Sequence, residues 1–143
     1  PWRPIVHIKD VCSAFIAGLE APAMIVSGRA FNVGVSNGNF TVRDIAEAAQ
    51  NAVPGSELVF TGKHTDPRTY RVSFHRILSE LKDYYDPQWN LDLGGKELVN
   101  FFDRVGFTEN QFRGRETIRL EQLKYLHQND FLDASFRVVN SIN

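Results

Sequence analysis

The chain of 143 residues has one cysteine, Cys12, which excludes an internal disulfide and fits a reducing compartment. Neither sign of charge dominates, because 16 Lys+Arg stand against 17 Asp+Glu for a formal charge of −1. That balance removes a global electrostatic reason to bind nucleic acid or an anionic membrane and leaves only local patches to consider. No uninterrupted apolar run approaches the roughly 18 residues of a membrane-spanning helix. No signal-peptide pattern opens the sequence, so a cytoplasmic protein is expected.

Chemical motifs are equally scarce. There is no GxGxxG or GxxGxxG phosphate loop, no GxxxxGK[ST] loop and no GxSxG nucleophile elbow. Gly34-Val35-Ser36-Asn37-Gly38 starts like a glycine-rich loop, but no third glycine follows it. His7, His64, His75 and His127 are scattered without metal-ligand spacing, so packing or surface roles are expected for them.

What is present is a pattern of short strands and amphipathic helices, denser in helix toward the C-terminus. Ile5-Val6-His7-Ile8 reads as a strand. Asp10 then caps a helix to about Leu19, with Val11, Ala14, Phe15, Gly18 and Leu19 on its apolar stripe and Pro22 ending it. Ala30 to Gly34 reads as a second strand, followed by a turn at Ser36-Asn37-Gly38-Asn39. Thr41, with Asp44 three residues on, signals a capped helix that Pro54-Gly55 stops. Glu57 to Phe60 and Tyr70 to Val72 read as further strands. Ser73 to Tyr85, Leu91 to Val105, Phe107 to Phe112 and Arg115 to Gln128 carry helical spacing, with a weaker tail from Asp130 to Val139. The Leu91–Val105 helix shows an apolar face of Leu93, Leu98, Phe101, Phe102 and Val105. The fold class expected is α/β, α+β-like, over a single unit spanning 1–143.

The strongest chemical feature is the stretch from Lys63 to Arg76. It holds four of the sixteen cationic side chains against one acid, Asp66. An arginine fork matches two oxygens of a phosphate or carboxylate. Alternation along Tyr70-Arg71-Val72 places Arg71 opposite its two neighbours, and Arg68 sits in the loop before them. The competing reading is a solvated basic loop whose arginines pair with nearby acids. Arg3, just before a strand, is ordinary by itself, and Asn37 alone is a turn amide.

Taken in order, three stretches resemble the extended short-chain dehydrogenases/reductases, the NAD-dependent epimerase/dehydratase family of nucleotide sugars. Arg3-Pro4-Ile5-Val6-His7-Ile8-Lys9-Asp10-Val11 is similar to that family's R-P/D-x-[IV]-H-[IV]-x-D-[LV]-A signature. Phe31-Asn32-Val33-Gly34 resembles its [FY]-N-[VIL]-G strand, and Asp66 to Val72 resembles its D-x-R-x-Y-x-[VI]-D stretch. Tyr85-Asp86-Pro87-Gln88-Trp89 is similar to the xxLGWxP-like ending of the helix that follows. The likeness covers about residues 2–105, and Ser73 departs from it where Asp is usual.

The resemblance implies the C-terminal, substrate-binding lobe of a Rossmann-type enzyme that uses NAD or NADP. The family's nucleotide loop and its Tyr-x-x-x-Lys pair lie upstream of the matching region and do not occur here. This chain alone is therefore expected to be inactive, to hold no cofactor of its own, and to need a separate Rossmann domain as partner. Arg3 and Arg68 correspond to arginines that hold the substrate diphosphate, Asn37 to an amide that contacts the nucleotide, and Arg71 to a variable position nearby. No catalytic or metal-binding residue is expected among the 143. The Phe31–Gly34 strand would have an unpaired edge, so homo-oligomers or swapped packing are expected. Two other readings remain: a stand-alone anion- or partner-binding module without catalysis, and a helical interaction domain over 91–139.

Overall fold

A computed structural model describes residues 1–61 and 68–139. Its only sheet among these residues is a short antiparallel pair, β1 (Trp2–Pro4) with β2 (Asn39–Thr41), in which Arg3 faces Phe40. Ile5 N donates to Gly38 O (2.9 Å) and Val42 N to Pro1 O (3.0 Å), which extends the pairing at both ends. The helices are α1 (Ile8–Glu20), α2 (Ala23–Val26), α3 (Val42–Ala52), α4 (His75–Glu80), α5 (Leu91–Val105), α6 (Glu109–Arg113) and α7 (Arg119–Gln128). The chain is thus mixed α/β, with much helix and little strand. Two compact units divide it, 1–100 and 101–143.

Local signals hold where the chain satisfies its own backbone. Thr41 caps α3 with a reciprocal box: its hydroxyl accepts from Asp44 N, and the Asp44 carboxylate accepts from Thr41 N at 2.7 Å. These bonds hold the Asp44 carboxyl below the usual carboxylate range. Pro22 follows the last residues of α1, and α5 spans the expected residues. Thr108 and Gln111 form a second capping box at α6.

Four expected strands are not strands. At Ile5–Ile8 the pairing has already ended at Pro4, and the His7 ring accepts from Lys9 N (3.2 Å) to cap α1, a role assigned above to Asp10. Along Ala30–Gly34, side chains replace a ladder. Arg76 donates to Ala30 O (2.9 Å), the Asn32 amide donates to Ser73 O (3.2 Å), and Tyr85 donates to Gly34 O (3.1 Å). At Val72 the Asn39 amide does what a neighbouring strand would do, accepting from Val72 N (2.8 Å) and donating to Val72 O (2.9 Å). Glu57–Phe60 pairs with no strand among the described residues, and Phe60 lies under the Arg43 guanidinium instead.

The helix expected over Ser73–Tyr85 stops at Glu80, where Leu81 closes it and Tyr84 N and Tyr85 N turn back to Leu81 O. The tighter turn keeps Ile77, Leu81 and Tyr85 on one face, so all three are buried despite the break. The helix expected from Arg115 begins at Arg119, because the Thr117 hydroxyl bonds back to Gln111 O and Phe112 O and fixes a turn there.

The core of the first unit joins Ala14, Ala17 and Ala21 to Phe74, Ile77, Leu81 and Tyr85. The buried face of α1 is turned from the one expected: Ala14 belongs to both, but Asp10 and Ala17 take the places given to Phe15, Gly18 and Leu19. Alanines pack inward, while Phe15 and Leu19 are 72% and 87% exposed. Asp10 is buried among them and clamps a distant segment, accepting from Gln88 N (3.0 Å) and Trp89 N (3.1 Å). Likewise Leu93, Leu98, Phe101 and Val105 on α5 stay about half exposed. In the second unit Phe102 stacks on Phe107 (4.7 Å), and Leu132 is the only buried residue described.

Candidate functional site

Residues 63–67 of the basic stretch, Lys63, His64 and Asp66 among them, lie outside the described residues. Its later arginines do not. Arg3 extends from β1 and donates through Nη1 to Arg68 O (2.6 Å) and Trp2 O (2.8 Å). Trp2 N in turn donates to the Thr69 hydroxyl (3.0 Å), and the Tyr70 ring lies 5.9 Å from the Arg3 guanidinium. Arg3 and the backbone of Arg68 are thus in direct contact, so β1 carries the 68–70 segment on its flank.

Asn37 occupies the turn before β2 in the left-handed region (φ 57°), with Gly38 N bonded to Val35 O. Asn tolerates that conformation better than most residues. This turn leads into a strand rather than a helix, and the Phe74 ring closes over Gly34 and Gly38. A dinucleotide pyrophosphate needs glycines it can approach and a helix N-terminus behind them, so this turn is not such a cradle.

Asn37 and Arg71 line one cavity of about 400 Å³, together with Trp2, Asn39 and His75. The Arg71 guanidinium lies 4.5 Å over the Trp2 ring, a cation–π contact that fixes its position. No carboxylate of the described residues is within ion-pair distance of Arg71. Among the described residues, then, Arg71 meets an aromatic ring, while Arg76 of the same stretch pairs with Glu80 at 4.0 Å. Arg3 and Arg68 are outside the cavity lining and reach it through Trp2. His75, at the start of α4, was not singled out by spacing, and Asn39 looked like a simple turn residue. Only the fold brings these two to the cavity.

Ser36 and Asn37 also border a second cavity of about 590 Å³, where Lys82, Gln88 and Trp89 lie. A third, apolar one of about 420 Å³ lies along Phe40, Ile45, Ala48 and Leu98. His7 stacks on Trp89 at 3.9 Å beside it, and Lys9 and His7 hold Glu97, whose carboxyl sits below its ordinary range chiefly through the Lys9 bond. The second unit has its own basic cavity, about 330 Å³, with Arg113, Arg115 and Lys124. There Arg113 pairs with Glu109 and Lys124 with Glu121, so the charge is largely spent. Among the described residues no three His, Cys, Asp or Glu side chains gather as a metal site. Nor is any helix among the described residues long and apolar enough to cross a membrane. No protein-family model matches the chain, and no solved structure matches it.

Proposed function

We propose that this chain is the substrate-binding portion of an NAD(P)-dependent nucleotide-sugar epimerase or dehydratase, and that the Asn37–Arg71 cavity receives the nucleotide diphosphate. The observation that carries the reading is Arg71: a guanidinium with no acid partner among the described residues, held on Trp2, facing a cavity beside an amide and an imidazole. Such a set supplies charge-assisted donors for phosphate oxygens and an aromatic wall for a base or sugar. Arg3 serves by bonding Trp2 O and Arg68 O, which fixes Trp2 and the segment leading from Arg68 to Arg71. The order of the three resembling stretches supports the substrate class. Hydride transfer, and the general acid/base that accompanies it, would belong to a separate Rossmann domain.

Isothermal titration of this chain with UDP-glucose and dTDP-glucose tests the reading. Binding to at least one is expected, weakened about tenfold by Arg71→Ala and less by Asn37→Ala. Absence of binding to either sugar nucleotide, or binding that Arg71→Ala leaves unchanged, contradicts it.

A further inference from the structure

Helix α1 turns its small residues inward and its large ones outward. Asp10, Ala14 and Ala17 are buried, while Ile8, Phe15, Ile16 and Leu19 are 67%, 72%, 53% and 87% exposed. Cys12 is exposed in the same stripe. The positions 8, 12, 15 and 19 follow the spacing of a helix seam and carry no charge. Helical geometry also places Lys9 and Glu20 on one flank of that stripe, at opposite ends of the helix.

We propose that this face of α1 is a self-association surface, on which a second copy of the chain docks with its own α1 antiparallel. A two-fold axis across the middle of α1 sets Phe15 and Cys12 of one copy against Cys12 and Phe15 of the other, and Ile8 against Leu19. The same axis brings Lys9 of each copy to the Glu20 end of its partner, so both ends of the seam gain an opposite-charge pair. Glu20 has no ion-pair partner among the described residues. Lys9 already meets Glu97 at 3.1 Å, but an ammonium has donors to spare. Ile8, Phe15 and Leu19, each two-thirds or more exposed, supply the apolar surface that such a pairing covers. Association expected at a Phe31–Gly34 strand edge thus moves to a helix, since those residues form no strand.

Sedimentation velocity of the chain across a micromolar concentration series tests this, alongside cross-linking of Cys12 by a short bismaleimide. A reversible dimer is expected, with Cys12 joined to Cys12 across it. Leu19→Glu changes a side chain that touches little of its own fold. It should leave the far-UV circular dichroism unchanged and raise the dimer dissociation constant more than about tenfold. Glu20→Lys should raise that constant severalfold at low salt and less at high salt. A monomer throughout the series overturns the proposal, as does a dimer indifferent to Leu19→Glu. A monomer that binds an apolar dye on α1 also overturns it, because the face would then belong to another occupant.

Discussion

The two units of the chain are held by different means. Residues 1–100 own the packed cluster of Ala14, Ala17, Ala21, Phe74, Ile77, Leu81 and Tyr85, and long-range clamps from Asp10, Asn39 and Tyr85 tie loops onto it. Residues 101–139 bury only Leu132 and rely on local devices. These are the Thr108 box, the Arg113–Glu109 pair, the Arg115 guanidinium 3.8 Å over Tyr125 and an isolated bridge from Leu132 to Val138. Local devices contribute about 1 kcal/mol or less each, whereas a buried side chain contributes several times that. The cavity that Arg71 faces lies in the unit that can hold it still.

Both tryptophans, Trp2 and Trp89, belong to the first unit, so their fluorescence reports it selectively while far-UV circular dichroism reports both. The largest effect should come from Ile77→Ala. Ile77 is 1% exposed, and its truncation should cost about 2–5 kcal/mol in urea unfolding followed by tryptophan fluorescence. Asp10→Ala comes next, at roughly 2–3 kcal/mol, because it strips the acceptor from two backbone N–H groups at Gln88 and Trp89. A loss as small as that of a surface substitution would show that the clamp is not part of the core.

A third effect depends on pH. Burial, and secondarily the Asp10 carboxylate, pushes the Tyr85 hydroxyl up to about 12 from an unfolded value of 10.0. Because the folded value is raised, the stabilisation is complete below pH 10 and drains away as pH rises from there through about 12. The unfolding midpoint of the parent should fall over that window more steeply than that of Tyr85→Phe. Parallel curves for the two proteins would contradict this assignment. Smallest is Thr108→Ala, about 1 kcal/mol, visible in circular dichroism and silent in tryptophan fluorescence. A fluorescence change of equal size would erase the distinction between the units.

The sequence was most legible where a few neighbouring residues decide the outcome. Thr41 with Asp44, Pro22 after α1, the turn at Ser36-Asn37 and the full span of α5 follow from caps, breakers and periodicity alone. Strands were misjudged because segments such as Ala30–Gly34 met side-chain donors and acceptors from afar instead of a ladder. Size misled on α1, since Phe15 and Leu19 look like core while alanines allow the closer approach that the fold uses. Asp10 looked like a cap, and nothing nearby in sequence points to Gln88 and Trp89. Of the candidate site, the arginines of 68–71 were visible as a charge excess, and Arg3 and Asn37 came from resemblance. Their convergence, and the arrival of His75 and Asn39, depends on contacts spanning more than thirty residues.

The central claim is that the nucleotide-sugar diphosphate sits against Asn37 and Arg71 in the first unit. The most direct measurement is a ¹H–¹⁵N correlation spectrum of the chain titrated with UDP-glucose and, separately, dTDP-glucose. For the sugar nucleotide that binds, saturable shifts are predicted at the amides of Ser36, Asn37, Gly38 and Arg71 and at the Trp2 indole, with residues 101–139 unmoved. Shifts gathered instead around Arg115 and Lys124, or no shifts with either ligand, would contradict it.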